Sequence, residues 1–248
     1  MSSTGPVAPR FDGRVAVVTG GRGTLGAAVA RALAEAGARV HAVDSAPAGP
    51  ASDAPTPGIM QHVADVRDDA ALRRVRDAIE GPVTLLVNAH GLQKARSGVM
   101  DCDEAVWTEL MDVNLNGVYR SCRIFGADLR AAGGAIVNFG SVNGVVVSGR
   151  GTPYGVAKAA VAFMTKALAL ELAPRARVNC IAPTAIESGM TRDLFADPAY
   201  VTTKRAAIPL QRFGTADDIV QAVLYLLSDA SALVTGHTLV MDGGLSLP

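Results

Sequence analysis

Residues 14–37 read RVAVVTGGRGTLGAAVARALAEAG, and this stretch decides the fold. RVAVVT (14–19) is a short β-branched run without polar alternation, as expected of a strand buried on both faces. Gly21, Gly23 and Gly26 follow it in the spacing G-x-G-x-x-G. LGAAVARALAEAG (25–37) is then a helical stretch closed by Gly37. A glycine turn between a strand and a helix lets the backbone approach a ligand closely. The helix N-terminus there presents free N–H groups to an anion such as pyrophosphate.

The same alternation continues outward. RVHAVD (39–44), IMQHVAD (59–65), VTLLVNA (83–89), GAIVNFGS (134–141), ARVNCIAP (176–183) and HTLVMDGG (237–244) read as further strands. Helices are expected over 68–79, 103–133, 153–173 and 215–228, with Pro153 in a first turn and Thr215 as an N-cap. Alternating strands and helices with near-continuously apolar strands predict one doubly wound α/β domain of Rossmann type. It has about seven parallel strands in the order 3-2-1-4-5-6-7 and helices on both faces. The domain is expected over 11–248, with 1–10 a disordered tail. The segment 45–58 carries Pro47, Pro50, Pro55 and Pro57 and is expected to be irregular. The broken pattern at 188–212 is expected to form a lid over the substrate.

Composition narrows the partners. The 248 residues carry 23 basic and 23 acidic side chains, and 49% are hydrophobic. That balance argues against a nucleic-acid or membrane-surface partner. Three separated cysteines and four scattered histidines give neither a disulfide framework nor metal-ligand spacing, so no metal is expected. No apolar leader and no stretch of ~20 apolar residues is present, and a cytoplasmic location is expected.

Asp44 ends the second strand, eighteen residues past Gly26. A carboxylate there accepts hydrogen bonds from adenosine ribose hydroxyls and repels a 2′-phosphate, which predicts NAD rather than NADP. In TPYGVAKAAVAF (152–163), Tyr154 and Lys158 stand one helical turn apart on a shared face. A phenol titrates near ~10, and a neighbouring cation favours its phenolate. The pair is therefore either an acid–base couple or two amphipathic side chains at a surface turn.

TGGRGTLG, VNAHG, VNL, NFGS, YGVAK, RVNCIAP and MDGG, in this order, resemble the short-chain dehydrogenase/reductase family from about residue 11 to 245. The resemblance implies a catalytic set of Asn114, Ser141, Tyr154 and Lys158. Tyr154 would be the acid/base, Lys158 would hold the nicotinamide ribose and depress the Tyr154 pKa, and Ser141 would polarise the substrate oxygen. Asn114 would anchor a water in the proton relay. The resemblance also implies NAD contacts at Gly20, Arg22, Gly23, Leu25 and Gly26 around the pyrophosphate. Asp44 would lie on the ribose, Asp65 and Val66 about the adenine, and Asn88, Ala89 and His90 at the end of strand four. Ile186 and Ser188 would reach the carboxamide.

The implied activity is hydride transfer between NAD(H) and a secondary alcohol or ketone. GLQKARSG and GTPYGVAK resemble the sugar-acid and polyol branch. Alternatives are a cyclic dihydrodiol or ketone oxidoreductase of secondary metabolism, and a non-catalytic NAD-binding sensor. Lys94, Arg96, Arg150 and Arg192 would favour an anionic substrate if they face the cleft. A homotetramer or homodimer is implied on helices 103–131 and 153–173, with Gly155, Ala159 and Ala162 permitting close packing. Departures from the family pattern are Thr24 for glycine, Ala89 in place of a strand-fixing amide, and Thr184 for glycine. His90 would be a substrate contact, a titrating neighbour or a tolerated side chain.

Overall fold

Strand ends set the architecture. A computed structural model describes residues 9–45, 56–94, 97–147 and 151–247. The expectations for 1–8 and for most of the proline-rich crossover (46–55) lie outside these residues, as do Arg96 and Arg150. Among the described residues, β1 (Val15–Thr19) leads through the glycine turn into α1 (Thr24–Glu35). β2 (Arg39–Asp44), β3 (Ile59–Val63), α2 (Asp69–Asp77) and β4 (Leu85–Asn88) follow. Then come α3 (Glu104–Met111), α4 (Gly117–Ala132), β5 (Ala135–Phe139), α5 (Thr152–Leu172) and β6 (Arg177–Pro183). The chain closes with α6 (Arg192–Phe195), α7 (Pro198–Ala206), α8 (Ala216–Leu227) and β7 (Thr238–Met241). The strands form one parallel sheet in the expected order 3-2-1-4-5-6-7.

Burial follows that order. β1, β4 and β5 are buried along their full length, whereas the edge strands β3 and β7 are partly exposed. One face of the sheet packs Val29, Leu33 and the α8 residues Ile219, Val223 and Leu227. The other packs Leu72, Val75, Phe125, Leu129 and Val161. Helix starts are fixed by side chains. Asp68, Asp103 and Asp197 accept N-terminal N–H groups, and Thr215 with Asp218 forms a capping box. α1 differs, because Gly23 at its N-cap supplies no side-chain acceptor.

The expected long helix 103–133 is interrupted. Asp112–Asn116 form a π turn between α3 and α4, a local widening that is frequent at functional sites. There Asn114 is fully buried. Its amide bonds the backbone of Leu92 on both sides, at 2.8 and 3.0 Å, and reaches Leu110 O at 2.9 Å. The broken stretch 188–212 contains two short helices, α6 and α7.

A line of polar side chains crosses the buried sheet. The Thr19 hydroxyl lies 3.2 Å from Asn88 Oδ1, Asn88 Nδ2 donates to Asn138 Oδ1 at 2.9 Å, and Asn138 Nδ2 donates to Thr165 Oγ1 at 3.0 Å. All four residues are fully buried. Asn88 thus supplies the amide that Ala89 lacks. Asn138→Ala removes a hydrogen bond from buried partners on two elements, Asn88 of β4 and Thr165 of α5. It should cost about 2–4 kcal/mol, read as a lower urea midpoint followed by circular dichroism.

Candidate active site

The C-terminal ends of β1, β4, β5 and β6 open into one cleft of about 990 Å³. Gly20, Arg22, Gly23, Leu25, Gly26, Asp44, Asp65, Val66, Ala89 and His90 line it, with Ser141, Tyr154, Lys158, Ile186 and Ser188. Residues chosen from seven separate sequence segments therefore meet on one surface. Asn88 and Asn114 are not on that wall. Both amides are spent inside the fold, Asn88 on the polar line and Asn114 on the loop after β4.

The phosphate end is built from backbone. Gly20 turns with φ +69°, and a Cβ at Gly26 would lie 2.1 Å from Gly20 O, so only hydrogen fits there. The N-terminus of α1 lacks a side-chain cap, which leaves its N–H groups for an anion. Thr24, the departure from glycine, is exposed at the first helical position. Asp44 Oδ2 accepts from the Arg22 N–H at 3.0 Å. Asp65 is held below the usual carboxylate range, chiefly by its hydrogen bonds from Arg67 at 2.7–3.0 Å. This uncapped helix, the close glycine approach and the strand-end carboxylate fit a nicotinamide dinucleotide.

The reacting end is built on β5 and α5. Ser141 starts the short 3-10 turn Val142–Gly144, and its Oγ accepts from Asn143 N at 3.2 Å. Tyr154 and Lys158 lie in the first two turns of α5, both buried. Lys158 Nζ donates to Phe139 O at 2.8 Å and sits 5.7 Å from the centre of the Tyr154 ring. Burial pushes the Tyr154 phenol up to about 12, opposed by a hydrogen bond from Ser141. Burial brings the Lys158 ammonium down to about 8. In the ligand-free chain burial is the dominant influence on the phenol, and the Lys158 ammonium faces a carbonyl oxygen.

His90 does not titrate in the functional range. It is buried with Nδ1 2.6 Å from Thr19 Oγ1, and burial, aided by the Lys158 charge, lowers it to about 3. Burial thus favours the neutral imidazole. Of the four expected basic groups, Arg192 lines the cleft, whereas Lys94 pairs with Glu109 at 2.5 Å. Gly155 is buried, and a Cβ there would lie 2.5 Å from Asn143 O, so its small size serves packing within the chain.

Sequence reading missed Gln93, Asn143, Tyr200 and Lys204, which also line the cleft. Lys204 had no motif to mark it, only its place in the segment expected as a lid. That segment does reach the site, since a Cβ on Gly91 would touch Met190 Cε at 3.5 Å and Lys158 Nζ at 3.7 Å.

A family model described as enoyl-(acyl carrier protein) reductase matches residues 21–246. The chain is 38% identical to a galactitol 2-dehydrogenase of Rhizobium johnstonii, covering 96% of both chains. It is 34% identical to a D-threitol dehydrogenase of Mycolicibacterium smegmatis over 96% of this chain and 95% of that one. A gluconate 5-dehydrogenase from Burkholderia cenocepacia, solved with NADP and tartrate, superposes with TM-score 0.88 at 32% identity, over 96% and 97% of the two chains.

The buried Lys158 predicts a pH dependence. Its pKa is about 8 folded against 10.5 ordinarily. Between these values the unfolded chain holds the extra proton, so this residue makes stability rise with pH and lets it fall again as pH drops through 8. Lys158→Met should lack that rise. The difference between the two proteins from pH 8 to 10 should be about 1–3 kcal/mol, measured by urea unfolding at each pH.

Proposed function

We propose that this chain, which belongs to the short-chain dehydrogenase/reductase family, interconverts a polyhydroxylated secondary alcohol and its ketone by hydride exchange with NAD(H). The observation that carries the reading is the meeting of Ser141, Tyr154 and Lys158 on the cleft that also holds the uncapped start of α1. Nicotinamide, when bound, gives or takes the hydride. The protein manages the substrate oxygen. Ser141 Oγ donates to that oxygen and offsets the charge developing on it. Tyr154 Oη gives it a proton in reduction and takes one in oxidation. With the phenol near 12, the free protein presents Tyr154 as a proton donor at neutral pH. Lys158 supplies the positive charge that favours phenolate in the oxidative direction.

Asp44 supports NAD. Its carboxylate, held by the Arg22 N–H, stands where a ribose diol is accepted and a 2′-phosphate repelled. The solved gluconate 5-dehydrogenase is an NADP complex, so both cofactors belong in the assay. A polyhydroxylated substrate is supported by the side-chain amides of Gln93 and Asn143. Both residues line the cleft, and neither amide makes a hydrogen bond among the described residues. The galactitol and threitol dehydrogenases are named for such alcohols.

The outer face of α5 supports a homodimer or larger assembly. Val156, Phe163 and Leu170 lie seven residues apart, with 41, 74 and 82% of their surface exposed. A continuous apolar stripe of that kind fits self-association across a two-fold axis. No helix among the described residues is long and apolar enough to cross a membrane.

Two outcomes are expected. Nicotinamide absorbance assays over sugar acids, polyols and cyclic diols should show turnover favouring NAD over NADP by roughly 100-fold. Tyr154→Phe should lower kcat by about 10²–10⁴-fold while NADH binding persists. Turnover preserved in this variant, or tight NADH binding with no turnover of any substrate, would reject the proposal. Separately, Phe163→Glu with Leu170→Glu should give a monomer at micromolar concentration by light scattering, where the unaltered chain gives a dimer or tetramer.

A further inference from the structure

Charges along most of the cleft are neutralised within the protein. Asp65 pairs with Arg67 at 2.7 Å, and Glu109 pairs with Lys94 at 2.5 Å and meets Arg67 at 3.8 Å. The end formed by α6 and α7 differs. Lys204 and Arg192 both line the cleft there, and neither side chain makes a hydrogen bond or ion pair among the described residues. Lys204 is half-buried, and burial lowers its ammonium pKa despite the attraction of Asp242. Asp242 is already engaged, since it accepts from the backbone N–H groups of Gly244 at 2.9 Å and Ser246 at 2.7 Å. Glu187 and Asp193 belong to the same segment, but both are exposed and neither lines the cleft.

Asp242 attracts the ammonium without pairing with it directly, and holding an ammonium partly out of water with no direct partner is unfavourable. The arrangement is relieved when a bound molecule brings the anion. We propose that Lys204, with Arg192 at the rim, forms an anion subsite that takes a carboxylate on the substrate chain, so that the preferred substrate is a sugar acid rather than a neutral polyol. The inference rests on the alcohol–ketone reading of the cleft and specifies it further. A singly charged carboxylate matches the one half-buried ammonium, with Arg192 exposed at the rim. Gln93 and Asn143 remain available for the hydroxyls of the same chain.

The test compares alcohols that differ by one group, threonate against threitol and galactonate against galactitol. Each is assayed with the unaltered protein, Lys204→Met, Lys204→Arg and Arg192→Gln, using whichever nicotinamide cofactor is turned over. The acids should be favoured by about 10- to 100-fold in kcat/KM. Lys204→Met should raise KM for the acids about tenfold with little change in kcat, and should leave the polyols within about twofold. Lys204→Arg should restore most of the loss, Arg192→Gln should show a smaller one, and added salt should weaken the acids alone. A phosphorylated polyol as the best substrate would overturn the carboxylate assignment. Preference for the neutral polyols, or equal loss on both members of a pair, would overturn the subsite while leaving hydride transfer intact. Absence of turnover on every alcohol, with Tyr154→Phe indistinguishable from the unaltered protein, would overturn the reading of the cleft and the subsite with it.

Discussion

The site depends on a set of side-chain hydrogen bonds that lock three strand ends together. Thr19, Asn88 and Asn138 are register partners across β1, β4 and β5, and their side chains join the same line that ends on Thr165 of α5. In a low-dielectric interior such a network is strong when satisfied and costly when broken. A slip of one residue would leave buried amides unpaired and turn the strands' side chains to the opposite faces. The residues that follow these positions, Gly20, Ala89 and Phe139, therefore have fixed places. Phe139 O receives the Lys158 ammonium, and Gly20 begins the turn into α1.

Desolvation governs the chemistry of that fixed frame. Tyr154 and Lys158 are displaced toward their neutral forms by burial, the phenol upward and the ammonium downward. Their proximity invites a simple cation–phenolate account, yet the ammonium is directed at a carbonyl and the phenol oxygen accepts from Ser141. His90 follows the same rule, staying neutral because it is buried. A partly desolvated set of groups gains most from charges that arrive with bound molecules, since electrostatic interactions strengthen where water is excluded.

The loop after β4 and the segment after β6 complete the frame from opposite sides. The π turn places the Asn114 amide against both backbone groups of Leu92, which holds the loop that carries Gly91 and Gln93. Across from it, Thr191 Oγ1 donates to Ile186 O at 2.5 Å and lies 3.1 Å from Ser188 Oγ. The two positions expected near the carboxamide are thus tied to the segment that presents Arg192 and Lys204.

By itself the sequence determined the parallel sheet and the glycine turn into α1, and its resemblance to a family named most of the predicted residues that meet at the cleft. The sheet and turn follow from local signals: apolar strand runs, glycine spacing, helix caps, with a Tyr–Lys pair one turn apart. Each depends on residues a few positions away and so can be read along the chain. Tertiary structure decided what depends on surroundings. It made Asn88 and Asn114 into internal braces, packed Gly155 against the Asn143 backbone and favoured neutral His90. It brought His41 and His62, far apart in the chain, to 2.9 Å across β2 and β3. It also set Lys204 at the cleft with no ion pair among the described residues. Burial and pairing are sums over neighbours distant in sequence, and no local pattern encodes them.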